Sequence, residues 1–168
     1  GKGSSNLVTR VIDHVGLPND AASHTNYLRE FLDIYTSAPA KFTTVFDQVH
    51  KVLTDLQLSG IALGLCTNKP EEAVGVVLKE FGLTAFFGSI VGGDRLPSRK
   101  PDPAMLNLVM RELGVERCLF VGDSEVDVAT AKAAGVPIAL FTLGYRQTHL
   151  NDMAADYNFN SFRELPAI

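Results

Sequence analysis

Four side chains in the 168-residue sequence have the types and the spacing to handle a phosphate group. Thr67, within Cys66-Thr67-Asn68-Lys69, brings a hydroxyl, and Lys100, within Lys100-Pro101-Asp102-Pro103, brings an ammonium. Asp123 and Asp127, within Gly122-Asp123-Ser124-Glu125-Val126-Asp127, bring a carboxylate pair. The Thr67 hydroxyl can donate to a phosphoryl oxygen, and the Asn68 backbone N–H, close to a helix start, adds a donor where the helix dipole favours anions. Lys100 precedes a proline, and the steric restriction this places on its backbone fixes how the ammonium leaves the loop. The two acids stand one helical turn apart, so both can face one ion, and Mg²⁺ takes such carboxylate and water oxygens. The plainer readings are a strand-end turn for Thr67-Asn68, a solvated lysine for Lys100 and a helix cap for the acids. Capping uses one Asp or Ser, and Ser124 serves for that, so capping leaves the second carboxylate unexplained.

These groups need a scaffold, and the hydrophobic pattern supplies one. Leu7, Val8, Val11, Ile12 and Val15 share a helix face, Gly16-Leu17-Pro18-Asn19-Asp20 breaks the chain, and Tyr27, Leu28, Phe31, Leu32 and Tyr35 share a second face closed by Ala38-Pro39. From about Thr44 a helix carries Val45, Val49, Val52, Leu53 and Leu56, and Ile61 to Cys66 reads as a strand. A helix then opens at Pro70 with Val74, Val77, Leu78 and Phe81 on its apolar face and stops at Gly82. The predicted remainder is a short strand Ser89 to Val91, a helix capped by Asp102 and ended by Gly114, a strand Cys118 to Val121, a helix Val126 to Ala134 stopped by Gly135, and a strand Pro137 to Phe141. Helix and strand alternating in this way predict parallel strands with right-handed crossovers, a doubly wound Rossmann-like α/β sheet. Ligands gather at the carboxyl ends of such strands, where Thr67 and Asp123 end two strands and Lys100 lies in the connection between them.

Composition bounds the partners. The chain is 46% apolar and 20% charged, ordinary for one globular domain, and no apolar run approaches the ~20 residues of a membrane span. A net charge of −4 without a basic block argues against nucleic acid and for a small-molecule substrate. Cys66 and Cys118 lack a paired spacing and read as inert buried thiols of a reduced, cytoplasmic protein, with no signal peptide in the sequence. Asp94 reads as a turn residue, Arg99 as a solvated neighbour of Lys100, and Lys69 as either. The four histidines, His14, His24, His50 and His149, are scattered and receive no role.

The three motifs resemble motifs two, three and four of the haloacid dehalogenase superfamily, and Thr67-Asn68-Lys69-Pro70 with Leu96 to Pro103 looks most like its phosphoglycolate phosphatase branch. The resemblance spans nearly the whole chain. It implies a Mg²⁺-dependent phosphomonoester hydrolase working through an aspartyl-phosphate, with 2-phosphoglycolate or a similar small phosphate as substrate. It implies that Thr67, Asn68 and Lys100 bind phosphate, that Lys100 neutralises the attacking carboxylate and the transferring phosphoryl group, and that Asp123 binds the metal directly. Asp127 would bind through water or orient Asp123 and Lys100. It also implies a helical cap over residues 1–40 on a core over 41–168, with Lys2 in Gly1-Lys2-Gly3 reaching the substrate.

One expected element has no match in this sequence. Family members begin with a strand ending in Asp-x-Asp-Gly-Thr, whose first Asp attacks phosphorus. The nearest string, Phe31-Leu32-Asp33-Ile34-Tyr35-Thr36, puts Tyr35 at the second carboxylate and reads as helix. The expectation is that the nucleophile and the central first strand belong to a preceding segment, without which this segment is inactive. A non-enzymatic phosphate- or metal-binding remnant is the alternative from another class, and a pyrophosphatase or phosphoglucomutase the alternative within the superfamily. A phosphorelay receiver is disfavoured because its acids precede its Thr and Lys, and a dehalogenase because it uses no metal.

Overall fold

The computed structural model describes residues 3–168, so Lys2 lies outside the described residues. Two helices open the chain, α1 (Gly3–Val15) and α2 (Ala21–Ser37), and pack on each other. Asp20 caps α2, its Oδ1 accepting from the N–H groups of Ala22 and Ser23 at 3.1 and 3.0 Å, which satisfies two donors that the helix leaves open. His24 joins the two helices, its Nε2 lying 3.0 Å from Thr9 Oγ1. The apolar face predicted for α1 is covered only in part: Val8 and Ile12 are buried, while Leu7, Val11 and Val15 are about half exposed. Phe31 to Thr36 is helical, as its periodicity predicts, and the Phe31 and Tyr35 rings stack at 5.6 Å.

The third helix, α3 (Val49–Leu58), starts later than the periodicity from Thr44 predicts. Gln48 takes a left-handed conformation with φ 66°, and Phe46 turns away to meet Phe141 at 4.9 Å and Phe162 at 6.0 Å. This aromatic contact between distant parts of the chain overrides local helix propensity.

Helix and strand then alternate: β1 (Gly64–Cys66), α4 (Glu71–Glu80), β2 (Ser89–Val91), α5 (Ala104–Leu113), β3 (Phe120–Gly122), α6 (Glu125–Ala134), β4 (Ile138–Phe141) and β5 (Tyr157–Phe159). All pairings are parallel, Cys66 aligning with Val91, Gly122 with Leu140, and Phe141 with Phe159. The protein is therefore an α/β fold with helical crossovers, as the alternation predicts. Strands β1 and β3 are shorter than the apolar runs that mark them: Ile61 is half exposed outside β1, and Cys118 precedes β3. The last strand, β5, escapes prediction because three residues, Tyr157, Asn158 and Phe159, are too few to show alternation.

Among the described residues the strands form two sheets, β2–β1 and β3–β4–β5. Helix α5 packs on β1 and β2 of the first sheet and on α6, which covers β3 and β4 of the second. Met105 and Val109 join Val91 in one buried cluster, while Leu106 joins Phe120, Val128, Ile138, Leu140 and Met153 in another, and Cys66 lies against each. Each fully buried Leu or Ile of this kind contributes roughly 1.5–3 kcal/mol. No helix among the described residues is long and apolar enough to cross a membrane.

Candidate active-site cleft

The carboxyl ends of β1 and β3 open into a cleft of about 710 Å³. Thr67, Asn68 and Lys69, just beyond β1, line one side, and Val121, Gly122 and Asp123 line the other. Lys100 and Asp127 complete that floor, and Leu7, Arg10, Phe31 and Tyr35 of the first two helices add a further wall. Among the described residues each of the two strands is paired on one side only, β1 with β2 and β3 with β4. The cleft thus holds Thr67, Asn68, Lys100, Asp123 and Asp127 together, four connections apart in sequence.

Thr67 leaves β1 as the last backbone donor of its ladder, its N–H bonding the Val91 carbonyl at 3.1 Å. The Thr67 Oγ1 accepts from the Lys69 N–H at 3.2 Å, so its own proton is available to a ligand in the cleft. Lys69 sends its Nζ to 5.2 Å from the Tyr35 ring centroid, a cation–π contact between this loop and α2.

Lys100 stands in the connection from β2 to α5. Its Nζ donates to Asp127 Oδ1 at 2.7 Å and lies 5.4 Å from the Phe120 ring centroid. Asp102 accepts from the Ala104 N–H at 2.8 Å, so it bonds the first turn of α5 although Pro103 occupies the cap position. Arg99, expected to be solvated, instead donates through Nε to the Gly93 carbonyl at 2.6 Å. Asp94 is a helix-capping residue, accepting from the Glu71 N–H at 2.8 Å at the start of α4.

Asp127 has a fuller set of partners than its spacing reveals. Its Oδ2 accepts from the N–H groups of Asp123 and Ser124, at 3.2 and 3.1 Å, and from Ser124 Oγ at 2.7 Å, while Oδ1 takes the Lys100 ammonium. Ser124 and Asp127 form a reciprocal capping box at the start of α6, so capping accounts for both Ser124 and the second carboxylate, contrary to the sequence argument. Burial alone would raise the Asp127 pKa, but the Lys100 charge and hydrogen bond, with those from Ser124 and Asp123, outweigh it and hold the carboxyl below its ordinary value. Gly122 permits the arrangement: a Cβ there would sit 2.3 Å from Asp127 Cβ.

Asp123 is the contrasting acid. Its Oδ2 accepts from the Tyr145 N–H at 3.0 Å, and Oδ1 has no hydrogen-bond donor among the described residues. Desolvation, only partly offset by the Tyr145 N–H, and the nearby Asp127 carboxylate push its pKa up. A carboxylate oxygen in a cleft, destabilised as an anion and lacking a cation of its own, suits a hard divalent ion that keeps several waters. Asp127, whose Oδ2 takes three donors and whose Oδ1 takes the Lys100 ammonium, is placed to orient that lysine. Among the described residues no cluster of three or more Asp, Glu, His or Cys forms a complete ligand set, so further ligands would be water or substrate oxygens.

The two thiols are free and half-buried. Burial pushes the Cys66 thiol up to about 11, with the Lys100 charge opposing, so it stays protonated at neutral pH. The position of Asn68's side chain, which sequence reasoning missed, is set by a contact across 32 residues with no local signal.

Comparison with known proteins matches residues 10–141 to the family model described as haloacid dehalogenase-like hydrolase. A phosphoglycolate phosphatase of Cereibacter sphaeroides is 42% identical over 166 residues, covering 99% of this chain and 76% of that protein. One of Rhodospirillum rubrum is 40% identical over 172 residues, covering 98% and 71%. In structure, a predicted phosphoglycolate phosphatase from Haemophilus somnus superposes with a TM-score of 0.89 at 26% identity, over 99% of this chain and 77% of that one.

Proposed function

Because the chain belongs to the haloacid dehalogenase-like hydrolase family, we propose that it is a phosphatase acting on a small phosphomonoester, with 2-phosphoglycolate as the first candidate. The observation that carries this reading is the meeting of Thr67, Lys100 and Asp123 at one cleft, each presenting a group of the kind phosphoryl transfer requires. Phosphoryl transfer asks the protein mainly to position the reactants and to neutralise charge on the phosphoryl oxygens.

In this reading the Thr67 hydroxyl and the backbone N–H of Asn68 donate to phosphoryl oxygens, and the Lys100 ammonium opposes the charge that gathers there. Lys100 takes no proton. Asp127 holds it in place while remaining an anion, and Asp123 holds Mg²⁺ through its open oxygen. The ion, when bound, supplies positive charge to the phosphoryl group and the attacking carboxylate. That carboxylate, which forms the aspartyl-phosphate, is assigned to a segment outside these 168 residues, seated between the one-sided edges of β1 and β3. Residues 1–40 act as a cap whose Phe31 and Tyr35 face the cleft, on a core of residues 41–168. Lys2 is proposed to reach the substrate from that cap. A cytoplasmic location agrees with the two free thiols.

The test is hydrolysis of 2-phosphoglycolate and of a panel of phosphomonoesters, with and without Mg²⁺, by the 168-residue chain and by the protein as its gene encodes it. Mg²⁺-dependent turnover by the gene-encoded protein alone supports the whole reading. Turnover by the 168-residue chain overturns the external nucleophile, and turnover by neither overturns the activity and favours a phosphate-binding remnant.

A further inference from the structure

We infer that Asn68 is a positioning residue for phosphoryl transfer: its carboxamide fixes the main chain of Lys100 and so sets where the ammonium stands in the cleft. This rests on the phosphatase reading above, and concerns the side chain of Asn68, not the backbone N–H to which that reading gives a phosphoryl oxygen.

Asn68 is 8% exposed. Its Nδ2 donates to the Lys100 carbonyl at 3.0 Å, and its Oδ1 accepts from the Lys100 N–H at 2.9 Å. One carboxamide therefore satisfies both polar backbone groups of a single residue 32 positions later, as a neighbouring strand would. Lys100 lies in no helix or strand, so no ladder holds its main chain. The carboxamide takes over that work, joining the loop that ends β1 to the loop that begins α5. With the backbone fixed at Asn68 and the ammonium held by Asp127 Oδ1 at 2.7 Å, both ends of the lysine are defined.

The residue type follows from the chemistry of the contact. It needs one donor and one acceptor side by side on a short side chain, which a carboxamide provides. An aspartate of the same shape would accept from the Lys100 N–H but turn a second oxygen toward the Lys100 carbonyl. Serine and threonine are too short to span both groups. Because Thr67 precedes Asn68 directly, the same clasp fixes the hydroxyl donor and the ammonium relative to each other. An ångström of misplacement in such a pair costs about 10²-fold in rate.

The experiment compares Asn68→Ala and Asn68→Asp with the gene-encoded enzyme acting on 2-phosphoglycolate. The expected result is a fall in kcat of ~10 to 100-fold for both, with KM changed less than about threefold, at temperatures well below each variant's Tm. In a Lys100→Ala background, Asn68→Ala is expected to cause no further loss, because it acts through the ammonium already removed. A lower Tm with kcat retained, or an equal loss in both backgrounds, overturns the inference and leaves the phosphatase reading intact. An inactive wild-type enzyme overturns that reading first, and this inference with it. Should neither variant fold, the wild-type protein decides the matter: slowed solvent exchange of the Asn68 carboxamide protons, and a response of the Lys100 amide signal to orthophosphate, are expected. Exchange at the solvent rate, or no response at Lys100, overturns the clasp.

Discussion

Lys100 and Asp127 form a 2.7 Å ion pair whose side chains are only 11% and 8% exposed, so neither charge has water as a ready substitute for the other. Removing one partner of a buried pair leaves the other uncompensated, at a cost of about 3–5 kcal/mol. Asp127→Ala is therefore expected to lower stability by that amount, measured by urea denaturation at pH 7. The pH dependence follows from the lowered pKa of Asp127. Its stabilising contribution is complete above the unfolded value of 3.8 and is lost as pH falls through the lower folded value, so wild type and variant converge in acid. A difference that persists unchanged at pH 2 contradicts this account.

Asp123 carries the opposite sign. Its folded pKa is raised, so ionisation costs stability that is fully retained below 3.8 and lost as pH rises through the folded value. Asp123→Asn, which keeps an oxygen for the Tyr145 N–H, is expected to raise the metal-free Tm at pH 7 by ~1–3 °C and to leave it unchanged at pH 3. Millimolar Mg²⁺ is expected to raise the wild-type Tm and not that of the variant. Equal Mg²⁺ shifts in both proteins assign the metal elsewhere.

Thr67 is tested by its hydroxyl alone. Thr67→Val keeps the shape and removes the donor, with an expected loss of ~10²-fold in kcat, whereas Thr67→Ser retains most of the activity. A valine variant as active as the serine variant removes Thr67 from the chemistry.

Gly144 sets the room available to Asp123. A Cβ at Gly144 would lie 2.3 Å from Asp123 Cβ and 2.5 Å from its Oδ2. Gly144→Ala is expected to cost ~1–3 kcal/mol by overpacking and to abolish the Mg²⁺-dependent Tm shift. Retention of that shift means that Asp123 tolerates the displacement.

Asp94 serves as a control away from the cleft floor. Its bond to the Glu71 N–H makes it a cap of α4, and Asp94→Ala is expected to cost about 1 kcal/mol with kcat unchanged. A fall in kcat without a fall in Tm would give Asp94 a part in the reaction.

Much of the fold was legible because its local signals agree with its tertiary outcome. Gly82, Gly114 and Gly135 all adopt positive φ where helices were predicted to stop, and the strand at Ser89 to Val91 has the predicted bounds. What failed depends on partners remote in sequence. Phe46 leaves its helix for Phe141 and Phe162, and β5 exists because β4 offers it an edge. In the cleft, residue types and strand-end positions were readable, but their connections were not. No spacing rule reports that Asn68 spans both backbone groups of Lys100, or that Arg99 reaches the Gly93 carbonyl. The Asp123–Asp127 spacing reads as a pair, while the structure separates an anion with four donors from one with an open oxygen.

Helix α5 buries Met105, Leu106 and Val109 along one face, Met105 and Val109 in the cluster of Val91 and Leu106 in the adjoining cluster of Phe120 and Leu140. That one apolar face makes it the keystone of an arch whose two halves share no backbone ladder among the described residues. Loss of either half uncovers part of that face, so the α5 amides are expected to exchange with the most protected amides of both halves.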